Sequence, residues 1–341
     1  MSELNRRQWI SGTAAAMGAA AGLTAAGMMR TAAQDATPET TSGGEGFEFD
    51  DGSEVPTVRG MPQGNLCGIP MSRVFLGGNL IGGWMHARDL RYVEQLFRAY
   101  ATEEKMIETL QIAEENGINV VFETGGNFVR QYNERYNGSM RFIPHIEVDL
   151  AKSDADLADH VKQQADTGAS ALYVWGLSSD QMLMSGRIDR IAKVVELAKK
   201  TGLPVGVGSH SLQVPVACER EGVPCDFYVK TLHRDDYPSA TPKEQQEDLM
   251  WYKGTPGWYD NQWCVNPEEV IDFMRSVKKP WVAFKVLAAG AISPEVGFSY
   301  AFDGGADFIA VGMFDFQIRG NAQIANRAVR RAQKRERLWI G

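Results

Sequence analysis

Eight short apolar runs recur along the chain, and amphipathic stretches alternate with them. This alternation restricts the fold more than any other feature, because strands that alternate with helices build a parallel sheet covered by helices. The predicted strands span residues 74–76, 118–122, 141–148, 171–175, 204–207, 226–230, 281–287 and 308–311. Eight such units in about 260 residues predict an α/β protein with a closed (β/α)8 barrel, a TIM barrel, as one domain over 61–341. An open doubly wound sheet is disfavoured, since the GxGxxG that normally follows its first strand is absent.

The predicted helices are bounded by residues that end helices. Helical periodicity covers 103–116, 153–167 and 187–201, and a glycine follows each stretch, at Gly117, Gly168 and Gly202. Glycine readily adopts the left-handed conformation that closes many helices. A fourth helix, over 267–278, ends before Pro280, which cannot continue a helix. Each helix therefore stops where the next predicted strand begins.

The first 33 residues form a segment that is expected to be removed. Arg6 and Arg7 precede a run of small, weakly apolar residues over 12–29, and 31–33 offers small residues for cleavage. This pattern resembles the twin-arginine export signal of bacteria. The resemblance implies a periplasmic or secreted protein, with the twin-arginine export machinery as a partner, that is exported already folded. A transmembrane helix is the alternative, but the run has few of the strongly apolar residues that such a helix needs.

Composition limits what the rest of the chain can do. Residues 34–60 are rich in Gly, Ser, Thr and acidic side chains, which predicts a flexible linker. With 44% hydrophobic and 23% charged residues, the remainder is typical of a globular domain. A net charge of -8 argues against a nucleic-acid partner, whose phosphates need a basic surface. The basic segment 327–337 is accordingly expected to be a solvated last helix.

The four cysteines predict neither a zinc ribbon nor a redox motif, because none of them forms a CxxC pair. Cys218 and Cys225 are seven positions apart, so the sequence allows a disulfide between them in an oxidising compartment but does not decide whether it forms.

Polar residues concentrate at the predicted carboxyl ends of the strands, which is where barrel enzymes build their active sites. Four of the five histidines fall on or just after a strand; they are His86, His145, His210 and His233. The strand over 141–148 carries His145, Glu147 and then Asp149 on one face, and its other face is apolar. We therefore expect this polar face to point into the barrel, close to Glu123 at the end of the preceding strand.

A mixed set of histidines and carboxylates can hold a divalent ion. His145, Glu147 and His210 are the predicted ligands, and imidazole with carboxylate favours Zn, Mn or Fe. The alternative is a set of buried ion pairs with basic residues, namely Arg141, Lys230 or Lys285.

Two lysines lie within predicted strands, where a solvated ammonium group is not expected. Lys230 and Lys285, desolvated inside a barrel, could each act as a base or form a Schiff base with a carbonyl substrate. The segment 284–291 is similar in outline to the lysine strand of class I aldolases of the deoxyribose-phosphate type. The more ordinary role for Lys285 is counter-ion to Glu123 or Glu147. The candidate catalytic residues are thus Glu123, Glu147, Lys230 and Lys285.

Glycine-rich segments follow the last two strands, over 289–295 and 304–313. They resemble the phosphate-binding half of many barrel enzymes, which implies that Gly290, Ala291 and Gly312 contact a cofactor or substrate phosphate. The alternative is an ordinary helix start at Ser293 and Pro294. The long connection 234–266 is rich in aromatic residues, which predicts a lid, a stacking platform for sugar rings, or a structural cap.

Parts of the predicted barrel resemble the aldo/keto reductases. The similar segments are 71–83, with its Gly-rich turn, and 117–124, 172–176 and 205–210. Reductases of this family use an Asp, Tyr, Lys and His tetrad, and the corresponding positions here hold Glu123, Phe128, His145 and Gly176. Because the tyrosine acid is replaced, we carry over no redox role and expect no nicotinamide cofactor.

The sequence therefore predicts an exported TIM-barrel enzyme that acts on a small sugar, polyol or hydroxy-carbonyl compound, with or without a metal. The expected chemistry is that of an isomerase or epimerase, a lyase or a hydrolase. Two alternatives stay open, an oxidoreductase similar to the aldo/keto reductases and a barrel that binds a ligand without catalysis.

Overall fold

The computed structural model describes residues 60–87, 90–249 and 262–341. The predicted export signal and nearly all of the predicted linker lie outside the described residues. So do positions 250–261 of the aromatic connection.

Eight parallel strands form a closed barrel, which confirms the predicted (β/α)8 fold. Each barrel strand pairs with the next one in the sequence, and the last pairs with the first to close the ring. The barrel strands are β3 (Val74–Gly77), β4 (Val120–Glu123), β5 (Arg141–Ile146), β6 (Leu172–Val174), β7 (Val205–Ser209), β8 (Phe227–Thr231), β9 (Trp281–Phe284) and β10 (Phe308–Val311).

Eleven α-helices lie within the described residues. They are α1 (Gly78–Ile81), α2 (Arg91–Tyr100), α3 (Glu103–Glu115), α4 (Gly126–Tyr136), α5 (Asp154–Ala165), α6 (Gly176–Met184), α7 (Ile188–Lys199), α8 (Gln213–Arg220), α9 (Pro267–Ser276), α10 (Pro294–Asp303) and α11 (Asp315–Arg331). The four predicted helices are present as α3, α5, α7 and α9, each within two residues of its predicted ends. Ser153 caps α5 in a reciprocal pair with Asp156, and Gly117 takes a φ of 80° just after α3.

Alternate strand residues divide the core into two layers. One layer fills the barrel and includes Phe75, Phe122, Ile143 and Tyr173. The other lies between the strands and the helices and includes residues such as Leu76. This division follows from the period of two along a strand, and it directs odd-numbered residues of β5 and β6 into the barrel. The side chains at the carboxyl ends of those strands are therefore placed by the same alternation.

The amino-terminal end of the barrel is closed by a hairpin that was not predicted from the sequence. Strands β1 (Gln63–Leu66) and β2 (Ile69–Ser72) pair in antiparallel register. Leu66 and Met71 belong to the apolar layer inside the barrel. The hairpin thus covers the end of the barrel opposite the predicted site.

The expectation of a solvated basic segment at the carboxyl terminus was correct for the exposed Arg327, Arg330 and Arg331 of α11 and wrong for two arginines after the helix. Helix α11 ends at Arg331, and beyond it Arg335 and Arg337 are buried against the carboxylate of Asp307. Asp307 lies just before β10, so the last residues of the chain pack under the barrel. These arginines are retained inside the protein because a buried carboxylate compensates them.

All four cysteines are free thiols, so the structure contains no bond between Cys218 and Cys225. Within the described ranges, no helix combines the length and the apolar character that crossing a membrane requires.

Candidate functional site at the carboxyl end of the barrel

Strained backbone marks the carboxyl end of the barrel. Glu123, the last residue of β4, has a φ of 86°, and Lys285, directly after β9, has a φ of 62°. Ala288 and Ala289 in the same loop as Lys285 are also left-handed, with φ of 46° and 54°. A left-handed backbone conformation at a non-glycine residue costs on the order of 1–3 kcal/mol, and such residues concentrate at functional sites. The two strained polar residues are both candidates from the sequence.

Glu123 sits in an aromatic surrounding on one side of this end. The indole Nε1 of Trp175, which follows β6, donates to its Oε1 at 2.7 Å. His145 Nδ1 lies 3.1 Å from the Glu123 carbonyl oxygen, and the His145 ring stacks on Trp175 at 5.1 Å. Burial, and then the charge of Glu123, raise the pKa of Tyr173 well above its usual value, so its phenol stays protonated. We call Glu123, His145, Tyr173 and Trp175 the acidic wall.

The predicted polar face of β5 is shorter than expected. The strand ends at Ile146, so Glu147 and Asp149 lie beyond it and are exposed rather than inside the barrel. Glu147 remains beside His145, with its Oε1 3.6 Å from His145 Nε2, but its side chain is 53% exposed. The alternation that placed His145 correctly stops where the strand hydrogen bonding stops.

Lys285 lies in a second group of side chains, which we call the basic wall and which consists of His86, His210, Trp263 and Lys285. Its Nζ contacts Nε2 of His86 and lies 4.2 Å from the centroid of the Trp263 indole. The His86 ring packs 4.8 Å from the same indole. Glu123 accepts from Trp175 and Glu147 lies beside His145, so the counter-ion role of Lys285 stays a prediction.

His210 follows β7 and completes the basic wall. Its ring packs 5.3 Å from Phe284, the residue before Lys285. Its Nδ1 lies 2.7 Å from Oδ2 of Asp180, a fully buried residue of α6. Burial lowers the pKa of His210, although the hydrogen bond and charge of Asp180 oppose that shift. The lowered pKa favours the neutral imidazole.

The other two predicted polar residues of this region, His233 and Lys230, form hydrogen bonds within the protein, and the catalytic role of Lys230 stays a prediction. His233 Nε2 accepts hydrogen bonds from the backbone N–H groups of Trp263 and Cys264, at 3.1 and 2.9 Å. Lys230 is buried and its Nζ donates to the carbonyl and hydroxyl oxygens of Thr231. Burial lowers the pKa of Lys230. Both residues fix the segment that carries Trp263, because Thr231 Oγ1 also bonds the Trp263 carbonyl.

The predicted metal ligands are not gathered into one site. Within residues 60–87, 90–249 and 262–341, no three His, Cys, Asp or Glu side chains are arranged to hold a metal ion. His145 and Glu147 are neighbours, whereas His210 is hydrogen-bonded to Asp180. Coordination by these three side chains therefore lacks support from their geometry, and metal binding stays a prediction.

The glycine-rich loops have a packing role that is visible in the structure. A side chain at Gly77 would approach the backbone nitrogen of Gly312 to 2.6 Å, so β3 and β10 meet through these glycines. Gly290 has a φ of 84° and, together with Ala291, leads to α10. Glu295 lies in the first turn of α10, where its charge would repel a phosphate. Phosphate recognition by Gly290, Ala291 and Gly312 stays a prediction.

Sequence reasoning missed three residues of the site, which are Tyr173, Trp175 and Asp180. The alternation of β6 could have indicated the first two, because residues 171, 173 and 175 share the face that points into the barrel. Asp180 could be suspected only from topology. It lies on α6, which follows β6, and His210 follows β7, the neighbouring strand.

Many solved structures are similar to this chain, and two of them are described below. A protein from Pseudomonas aeruginosa described as an aldo-keto reductase has a TM-score of 0.52 at 15% identity, over 79% of this chain and 94% of its own. A second structure with that description, from the same organism, has a TM-score of 0.51 at 14% identity, over 77% and 93%. No protein-family model matches the chain, and no curated protein matches it significantly. At these identities the likeness shows the barrel fold alone.

Proposed function

We propose that this protein is an enzyme that moves a proton at a carbon next to a carbonyl group in a small hydroxy-carbonyl compound, such as a sugar or its keto isomer. The observation that carries the proposal is the contact of Lys285 with His86 at the carboxyl end of the barrel. An ammonium group against an imidazole supplies both a charge for an oxygen and a route for a proton.

Each wall contributes a different interaction with such a substrate. Negative charge develops on the carbonyl oxygen when the neighbouring carbon loses its proton, and the Lys285 ammonium stabilises that charge. The Glu123 carboxylate, oriented by Trp175, accepts a hydrogen bond from a substrate hydroxyl. The indole of Trp175, which is only partly buried, suits the C–H face of a sugar. An acidic group, a basic group and an aromatic surface thus favour a neutral, polyhydroxylated carbonyl compound.

Replacing Lys285 by methionine is expected to slow proton exchange by at least about 100-fold, because the charge that stabilises the enolate is removed. The protein is incubated in D2O with glyceraldehyde, dihydroxyacetone, erythrulose and xylose, and proton NMR follows loss of the signal beside the carbonyl. This measurement detects proton transfer even when no net product forms. Lys193→Met is the matched control, since that lysine lies on α7 with its side chain 41% exposed, and its partner is Asp154.

The outcomes separate clearly. Exchange by the wild type and by Lys193→Met, but not by Lys285→Met, supports the proposal. Equal exchange by the wild type and Lys285→Met, or no exchange of any of the four compounds by the folded wild type, would overturn it.

We also propose that the protein is exported by the twin-arginine machinery, on the strength of the Arg6 and Arg7 pair. Changing both arginines to lysine preserves the charge and is expected to leave the protein in the cytoplasm of a bacterium with this pathway. Cell fractionation of the full chain measures the distribution, and Arg30→Lys is the control. Unchanged export of the double variant would contradict this assignment.

A further inference from the structure

A buried aspartate holds His210 more firmly than a surface pair would. Asp180 accepts hydrogen bonds from the backbone N–H groups of His210 and Ser211, at 3.1 to 3.2 Å. Its Oδ2 is also 2.7 Å from His210 Nδ1. Asp180 has no exposed surface, and the His210 side chain retains 10%. Three contacts from one carboxylate fix both the loop after β7 and the orientation of the ring.

These contacts also define which ring nitrogen carries the proton. A carboxylate only accepts hydrogen bonds, so Nδ1 must be the donor in its contact with Asp180. In the neutral imidazole the lone pair is then on Nε2. An aspartate that selects this tautomer prepares the opposite nitrogen to accept a proton.

The position of His210 relates this pair to the proposed chemistry. Its ring packs on Phe284, and the next residue along the chain is Lys285. Burial lowers the pKa of His210, and the charges of Lys285 and Lys230 add to that lowering. We propose that His210 is the base of the reaction, with Asp180 as its positioning residue and Lys285 as the group that receives the substrate carbonyl oxygen. This inference rests on the proposed function.

The step is balanced without an oxidant or a reductant. The proton on the carbon beside the carbonyl passes to His210 Nε2, and its C–H electron pair forms a carbon–carbon double bond. The carbonyl π electrons move onto the oxygen beside Lys285, which gives an enediolate. The imidazolium returns the proton to the former carbonyl carbon, for isomerisation, while the hydroxyl proton of the enediolate passes to the former carbonyl oxygen. Return of the proton to the original carbon gives hydrogen exchange, and it gives the epimer when the enediolate has turned its opposite face to the imidazolium.

The tautomer of His210 can be measured without a substrate. In protein labelled with 15N at histidine, the ring nitrogen shifts of His210 at pH 7.5 are expected to show a protonated Nδ1 and an unprotonated Nε2. Asp180→Asn should reverse this pattern, since an amide can donate to Nδ1. Asp189→Asn is the matched control, because Asp189 is exposed on α7 and pairs with Arg187. A wild-type ring protonated at Nε2 would overturn the inference irrespective of any variant.

Deuterium exchange then tests catalysis with the four compounds named above. His210→Gln and Asp180→Asn are each expected to lose about 100-fold in exchange rate, while Asp189→Asn retains the wild-type rate. Thermal melting confirms that each variant is folded, and added imidazole is expected to restore part of the rate to His210→Ala. Loss of exchange in Lys285→Met with full exchange in folded His210→Gln would overturn this base while leaving the proposed function intact. No exchange by the wild type would overturn both.

Discussion

Replacing Asp307 by asparagine is expected to cost about 3–5 kcal/mol of folding free energy, the largest loss that we expect from a single substitution in this chain. The side chain keeps its shape but no longer carries the charge that compensates two buried guanidinium groups. Asp307 Oδ1 is 3.0 Å from Arg335 Nη2, and Oδ2 is 2.7 Å from Arg337 Nη1. Both arginines are buried, so neither charge can be hydrated when its partner is removed.

Asp307 also forms hydrogen bonds with three other parts of the chain. Oδ1 accepts from the backbone N–H of Ile340, and Oδ2 accepts from that of Trp281 at the start of β9. Arg73 donates to the Asp307 carbonyl oxygen at 2.9 Å. Burial lowers the pKa of Arg335 to about 10, and the charge of Asp307 opposes this lowering. When Asp307 loses its charge, Arg335 and Arg337 lose their ion pairs, and the carboxyl-terminal residues are expected to detach from the barrel.

Urea denaturation at neutral pH measures this loss. Asp303→Asn is the control, because Asp303 is exposed and its oxygen lies 3.8 Å from Arg331. Such a surface pair contributes only about 0–1 kcal/mol. Equal stabilities of the two variants would show that the buried network does not support the fold.

The barrel could be predicted from the sequence because its signals are local and repeated. Each strand is a short apolar run, and glycines such as Gly117 and Gly202 take the positive φ that ends a helix. An error of one or two residues at an element end does not alter the order of strands. The hairpin 63–72 was missed because its alternation is brief and its partner surface, the end of the barrel, is made by residues far away in sequence.

The site is harder to predict, since it depends on where each strand stops. The alternation of β5 placed His145 correctly and Glu147 wrongly, because the strand ends between them. Partners were also missed where they come from distant segments. Asp180 lies 30 positions before His210, and Asp307 lies 28 before Arg335. A basic segment looks solvated in a sequence when the carboxylate that buries it belongs to another element.

Acidification is expected to weaken the fold between about pH 6.5 and about pH 4, in part through His233. Burial lowers the pKa of His233 from 6.5 to about 4, and the backbone contact with Arg234 opposes this shift. The folded state therefore keeps His233 neutral over a range where the unfolded chain binds a proton. The stabilising contribution is complete above about pH 6.5 and is lost as pH falls to about 4; a shift of this size corresponds to about 3 kcal/mol.

The contacts of His233 explain why its protonation competes with folding. Nδ1 lies 2.6 Å from the Arg234 carbonyl oxygen and so carries the ring proton, while Nε2 accepts from the N–H groups of Trp263 and Cys264. A proton on Nε2 would replace an acceptor with a donor that faces two donors, and the segment carrying Trp263 would have to move. Urea denaturation at pH 4.5, 5.5, 6.5 and 7.5 measures the dependence. His233→Gln should be less stable at pH 7.5, but its unfolding free energy should fall less steeply below pH 6.5, by the slope that binding of about one proton causes. His160→Gln on α5 is the control. It should reduce that slope less, because His160 is only half-buried. Parallel curves for the wild type and His233→Gln would contradict the assignment, since the acid sensitivity would then come from other groups.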